Sequence, residues 1–318
     1  MNTTFSVGYS GKLDDLKKII DASDKVKSVY TGGIAGMIAG GRPQYSESLD
    51  ALSEQIKFAH SKGVSFDVAL NAPCGLKDKS DKDWWRSVKE YLKELEARGV
   101  DSVTVSHPFL MNLVKSHTEM QITVSTICEI MTARAALYYE ELGGDVIVPS
   151  MNVNMNPQEL RLMSRVLKRA RLQIMVNEHC LGDCPWRRFH HSHYSHSNTE
   201  IDYHLNCKRL FLHNPYLLLT NNAIRPEDIH RYEDITNDFK IVGRLAPIDD
   251  LVLRVKAYAE QSFDGNFVKL SDSMLARSVD IPNKQLDGLI QKKFSCSRIC
   301  RECRYCEELF GQVGTRTK

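Results

Sequence analysis

From its beginning to Val176 the chain alternates short apolar or β-branched runs with longer stretches in which apolar and polar positions follow a helical pattern. The runs predict strands over Phe5–Tyr9, Ser28–Tyr30, Val64–Leu70, Ser102–Val105, Gln121–Ser125, Asp145–Val148 and Gln173–Val176. The longer stretches predict helices over Leu13–Ala22, Ser46–Lys62, Trp84–Arg98, Ala133–Leu142 and Pro157–Leu167. The last of these opens on a proline, whose fixed φ suits a first helical turn. After a long gap come an eighth strand, Phe239–Val242, and a helix, Asp249–Glu260. Eight consecutive βα units predict an α/β fold, a (β/α)8 TIM-like barrel whose chemistry sits on the loops after the strand C-termini. A doubly wound open sheet is the alternative.

Two stretches break the rhythm. Residues 177–238 form an insertion after strand seven, too long for an ordinary βα loop, and long loops in compact domains are commonly functional. From Ser262 onward a tail leaves the pattern altogether. The expected organisation is therefore a barrel over 1–261 that carries the insertion, followed by an extension over 262–318. No internal repeat or low-complexity tract appears.

Composition narrows the function classes. The 318 residues are 42% apolar and 26% charged, with 42 Lys plus Arg against 40 Asp plus Glu. A net charge of +2 gives no whole-molecule field that would draw the protein onto nucleic acid or an anionic membrane, so any polyanion must meet a local patch. No apolar run of about 18 residues and no cationic, then apolar, leader occurs, which predicts a cytoplasmic chain without a membrane span.

Nine cysteines are too many for a reducing compartment unless most bind metal. Cys74 and Cys128 stand alone, and small buried thiols are the plain reading of such residues. The other seven fall in two groups. The first follows strand seven in Asn177-Glu178-His179-Cys180-Leu181-Gly182-Asp183-Cys184, with Cys207 further along the insertion. Soft thiolates converging on a barrel mouth suit an iron–sulfur cluster or zinc. Three local cysteines leave a fourth ligand unassigned; Cys74, after strand three, and the carboxy-terminal cysteines are both candidates. His179, His190, His191, His193, His196 and His204 crowd the same insertion, able to ligate metal, shuttle protons or simply pack. Arg187 and Arg188 precede most of them and could hold an anionic substrate.

The second group is Cys296-x3-Cys300-x2-Cys303-x2-Cys306. Four thiols so close in sequence point to a metal or cluster module, with zinc or iron–sulfur both admissible. Their first three have the spacing found in radical SAM enzymes, but that motif normally follows the first barrel strand, whereas this one lies at the other end of the chain. The four could close a site of their own, or lend ligands to the barrel mouth. Lys292, Lys293, Arg298, Arg301, Arg304, Arg316 and Lys318 outweigh three acids in this tail, an excess that offsets thiolate charge or touches an RNA backbone.

Weaker candidates remain. Gly32-Gly33-Ile34-Ala35-Gly36 with Gly40-Gly41-Arg42 follows strand two and fits no phosphate-binding fingerprint. Ser125 ends strand five, with Glu129 four residues on, and Gly243-Arg244 ends strand eight. In a barrel these face the site, and Arg244 reads as an anion clamp.

Taken in order, Ile122-Thr123-Val124-Ser125-Thr126, Glu141-Leu142-Gly143-Gly144, Val146-Ile147-Val148-Pro149-Ser150, Asn177-Glu178-His179-Cys180 and Phe239-Lys240-Ile241-Val242-Gly243-Arg244 resemble peptidase family U32, the collagenase-like proteases, over roughly residues 5–260. The resemblance implies a barrel whose cysteines bind a 4Fe–4S cluster. It also implies functions that differ among members: oxygen-independent hydroxylation in ubiquinone synthesis, hydroxylation of RNA bases, and a peptidase label. Glu178 matches the strand-seven glutamate, Cys180, Cys184 and Cys207 match family cysteines, and Arg244 matches the arginine of the strand-eight motif. The C-x3-C spacing is tighter than the family commonly uses, and neither the histidine run nor the four-cysteine tail belongs to its general pattern.

The expected function is that of an iron–sulfur tailoring enzyme that hydroxylates, or otherwise modifies by redox chemistry, a small molecule or RNA base. Glu178, His179, His190 and Arg244 are the catalytic candidates, and Arg187, Arg188 and Ser125 the substrate-binding ones. Cys180, Cys184, Cys207, Cys296, Cys300, Cys303 and Cys306 are expected to bind metal, as one cluster or two, with zinc as a second option in the tail. The alternatives are a metal-dependent peptidase acting on peptides and a non-catalytic cluster-binding partner subunit.

Overall fold

The computed structural model describes residues 3–33, 48–74, 82–178, 180–196 and 202–317. His179, most of the glycine-rich segment after Gly33 and the start of the helix expected at Ser46 lie outside them.

In chain order the elements begin β1 (Thr4–Gly8), α1 (Leu13–Ala22), β2 (Val26–Gly32), α2 (Leu49–Ser61), β3 (Ser65–Leu70) and α3 (Lys82–Ala97). They continue β4 (Ser102–Val105), α4 (Pro108–His117), β5 (Gln121–Val124), α5 (Ala133–Glu141), β6 (Val146–Ile147) and α6 (Pro157–Val166). Strand seven follows in two pieces, β7 (Arg171–Leu172) and β8 (Ile174–Met175). The insertion supplies α7 (Arg187–His196), α8 (Asp202–His213) and α9 (Leu217–Thr220), before β9 (Asp238–Ile241) and α10 (Ile248–Glu260).

Every neighbour in the sheet is parallel, in the order β7-β6-β5-β4-β3-β2-β1-β9-β8. The two ends of that order are adjacent pieces of one strand, so the sheet closes on itself through strand seven. This is the (β/α)8 barrel expected, and it excludes the open sheet. Its strands are apolar because helices cover their outer side: Val29, Val68, Val103, Ile122, Val124 and Ile147 pack with Leu16, Ile19, Leu52, Ile56, Leu92 and Leu95 in one core. α4 was not singled out from sequence, although it also opens on a proline at its first turn.

The extension adds a second core. Its helices α11 (Leu289–Phe294), α12 (Cys300–Cys303) and α13 (Tyr305–Val313) follow three short 3-10 turns, and its end, β11 (Thr315–Arg316), pairs antiparallel with β10 (Val279–Asp280). Phe267, Val268, Leu275, Ile281 and Leu286 pack with Phe211, Leu218 and Leu219 of the insertion. Buried Arg225 pins the arrangement: it donates to Asp228 (2.8 Å), the carbonyl of Asn283 (2.8 Å) and Asp287 (3.0 Å). Among the described residues no helix is long and apolar enough to cross a membrane.

Candidate functional site

Four strand ends build the barrel mouth. After β5, the Ser125 hydroxyl accepts the amide of Ile127 and opens a 3-10 turn over Thr126–Cys128, and it also accepts from the Asn71 side chain (3.0 Å). The turn ends on Glu129 in the left-handed region (φ +52°), a conformation that costs a non-glycine residue about 1–3 kcal/mol unless its surroundings impose it. Here they do: the Glu129 carboxylate accepts from Ser150 (2.5 Å) and from Arg187 (2.6 Å). Cys128 points into the core, donates to the carbonyl of Ser106 (3.3 Å) and is pushed up to about 12 by burial, the behaviour of a packed, inert thiol.

After β8, Asn177 staples the mouth. Its side chain takes the amide of Val242 (2.7 Å) and gives hydrogen bonds to the carbonyls of Val242 and Leu270 (both 2.9 Å), joining strands seven and eight and the extension. Glu178 follows, buried, and its carboxylate receives one Arg187 nitrogen at 2.6 Å. The same nitrogen lies 3.3 Å from the Cys180 sulfur. Arg187 is 5% exposed, and its remaining terminal nitrogen is buried with no partner among the described residues. Burial opposes its charge, but the carboxylates of Glu178 and Glu129 and the Cys180 sulfur outweigh it, so its pKa stands above the ordinary guanidinium value. The guanidinium singled out for an anionic substrate is thus engaged by two carboxylates of the chain itself.

Cys180, Cys184 and Cys207 share one neighbourhood. The Cys207 thiol hydrogen-bonds Cys184, which with the amides of Trp186 and Arg187 and the Arg187 charge pulls Cys184 down to about 6 against burial. Cys207 is pushed up by that same hydrogen bond and by burial, and it feels the Cys180 sulfur as well. The loop between Cys180 and Cys184 turns through Asp183 in the left-handed region (φ +53°) and is tight at Gly182, where a side chain would come within 3.2 Å of the Thr220 carbonyl. Among the described residues no three Cys, His, Asp or Glu side chains are gathered around a single ion position. Three soft sulfurs beside a fixed cation fit a cluster that would draw them together, as the donor chemistry requires.

α7 lies against this mouth through its histidine face. His191, Tyr194 and Ser195 are buried, and the His190 ring stacks on His191 (6.0 Å) and tilts against Tyr194 (5.0 Å). Arg188 is exposed. Cys74, at the end of β3, meets the far end of α7: its amide donates to Ser195 (3.4 Å) and its sulfur lies 3.3 Å from His196 Nε2. Arg244 is half-buried at the end of β9, close enough to act on the charge of Lys240. Gly243 beside it has φ +130°, and any side chain there would strike the Arg254 guanidinium.

Beneath the mouth lies a buried pair that sequence reasoning missed. β3 and β9 are separated in the sheet by β2 and β1, so Asp67 and Lys240 face each other only across the barrel interior. Asp67 accepts from Ser102 and Thr104 (both 2.7 Å), and the Lys240 ammonium sits 4.0 Å from the Tyr30 ring centre. Burial raises Asp67 and lowers Lys240, each countered by the other's charge. An ionisable residue in the middle of an otherwise apolar strand was the available signal.

The carboxy-terminal cysteines are brought together elsewhere. Cys296, Cys300, Cys303 and Cys306 line one cavity of about 250 Å³ against Tyr216 and Thr220 of the insertion. Arg298 crosses to the barrel mouth, donating to Asp183 (3.0 Å) and to the carbonyl of Asn152 (3.1 Å).

Comparison with known proteins bears on this architecture. The model of peptidase family U32 matches residues 11–269. A curated relative, an uncharacterized protease of Methanocaldococcus jannaschii, is 29% identical over 330 aligned positions that cover 96% of this chain and 97% of the relative. The solved structure of the U32 peptidase Mk0906 superposes with a TM-score of 0.60 at 19% identity, over 77% of this chain and 94% of that one.

Proposed function

The chain belongs to peptidase family U32, and on that premise we propose that it is an iron–sulfur-dependent tailoring enzyme, carrying out oxygen-independent hydroxylation or a related redox modification of a small molecule or RNA base. The observation that carries this reading is the grouping of Cys180, Cys184 and Cys207 at the barrel mouth beside the Arg187–Glu178–Glu129 triad. These cysteines would hold the cluster, which when bound supplies redox or Lewis-acid chemistry.

The chain's own groups do the rest. Arg187 fixes the Glu178 carboxylate on one side and sets its charge beside the Cys180 sulfur, orienting both. Glu178 and the histidines of α7 would move the protons. Arg244 and exposed Arg188 remain to meet an anionic substrate. The test is anaerobic purification with iron and sulfide analysis. Bound iron and sulfide lost from Cys180→Ser and Cys184→Ser variants is the expected result, and a colourless protein holding only zinc would overturn the reading.

A second reading, peptide hydrolysis, rests on the names of the relatives and on the Cys74–His196 contact, a thiol within hydrogen-bond reach of an imidazole. Cys74→Ser separates the two with paired readouts. Loss of casein cleavage with iron unchanged favours hydrolysis, whereas loss of iron makes Cys74 the fourth cluster ligand.

A further inference from the structure

The tail has the construction of a second, self-contained centre. Cys296 comes from a loop, Cys300 and Cys303 from the two ends of α12 and Cys306 from the first turn of α13, and two non-glycine residues in the left-handed region, Arg298 (φ +62°) and Arg304 (φ +46°), turn the chain between them so that all four border one cavity. Two such conformations in one short segment persist only where the surroundings impose them. The scaffold is apolar and covalently local: Tyr305, Leu309, Phe310 and Val313 pack on the second core, and the β10–β11 pairing anchors the end.

The size of the site bears on its occupant. A single zinc draws four sulfurs to about 2.3 Å from one point. Cys296, Cys300, Cys303 and Cys306 border a surface-open cavity of about 250 Å³, larger than a single tetrahedral ion site needs. That is room for a polynuclear core, to which each thiolate adds one bond from the wall. The charges agree. Arg301, Arg304 and Glu307 line the cavity, with Arg304 paired to Glu307 (3.0 Å), and Lys293 turns its ammonium inward onto the Asn221 carbonyl, within electrostatic reach of Cys306 and Cys296. A cluster held by four thiolates is anionic, and these cations offset it.

We propose that Cys296, Cys300, Cys303 and Cys306 hold an iron–sulfur cluster of their own, distinct from the barrel-mouth centre and placed beside it by the Arg298–Asp183 bridge. The site opens to the surface, since Cys296, Cys300 and Cys303 are exposed, so iron and sulfide can enter the folded chain.

The full chain, reconstituted anaerobically with ferrous iron and sulfide, tests this beside two double variants, Cys300→Ser/Cys303→Ser and Cys180→Ser/Cys184→Ser. With both centres present, the parent binds about eight irons and about eight sulfides, and each double variant loses about half. A tail variant that keeps all its iron, or that loses one zinc and no sulfide, overturns the tail centre and leaves the barrel reading standing. A barrel variant that loses nothing while the tail variant loses everything does the reverse. Lys293→Met, which spares the ligands, should retain iron and titrate at a more negative reduction potential; an unchanged or more positive potential would show that this cation does not face a cluster.

Discussion

At the scale of single residues the mouth turns on Arg187. It enters as one of two adjacent arginines in a histidine-rich run, and its sequence surroundings read as a surface that meets anions. Placed at the first turn of α7, it instead lies between Glu129 and Glu178, residues contributed by the ends of strands five and seven. Arg187→Met would leave two carboxylates facing each other without their cation, and breaking such a buried set costs about 3–5 kcal/mol. Urea unfolding should show that loss, with Arg187→Lys recovering only part because an ammonium cannot serve two carboxylates in a planar fork. Gly243 gives a second prediction. Alanine there meets both the +130° φ and the Arg254 guanidinium, so Gly243→Ala should lower stability by more than about 1 kcal/mol and displace Arg244. Neither role could be read from the sequence, because each depends on which strand ends become neighbours when the barrel closes. The same holds for Asp67 and Lys240, whose partnership exists only across the interior. What was legible was the place of Cys180, Cys184 and Glu178 at the end of strand seven, since strand-end positions are visible in a linear text.

Among elements, strands followed from pattern wherever burial on both faces selected apolar and β-branched residues, as in β3 and β4, broken by Asp67 and by the small hydroxyl of Ser102. The pattern was least informative around strands six and seven, where the ladders shrink to two residues and side-chain bonds take over. Glu140, near the end of α5, is the clearest case: one carboxylate oxygen accepts the amides of Lys168 (2.9 Å), Arg169 (2.7 Å) and Ala170 (2.7 Å), holding the chain that leads into β7. Burial alone would raise this group, but those amides win and its pKa falls below the ordinary 4.5. The unfolded state therefore binds the proton first as pH drops, and the stabilisation, present above 4.5, is lost as pH falls through the folded value. Glu140→Gln should flatten that acid-side decline in a pH series of melting temperatures, and an unchanged slope would assign the decline elsewhere.

Across the whole molecule, barrel, insertion and extension are tied by a few buried polar contacts between two apolar cores. Arg225 carries much of this load, reaching Asp228, Asn283 and Asp287 at once. Arg225→Ala should expose the extension to limited proteolysis ahead of the barrel, with cuts falling in 262–318. The closure of the barrel through a divided strand has a different consequence. Among the described residues β7 pairs with β6 alone and β8 with β9 alone, over two residues each, and between them the buried Gln173 leaves its amide oxygen without a partner. Local opening follows the fewest buried bonds, so amides of Arg171–Met175 should exchange with solvent deuterium sooner than those of β1 or β3. The strand that opens first is the strand whose end bears Glu178 and Cys180. The barrel is thus a ring with a clasp, and Glu178 and Cys180 hang from the clasp, where slow breathing would admit the proposed cluster without dismantling the ring.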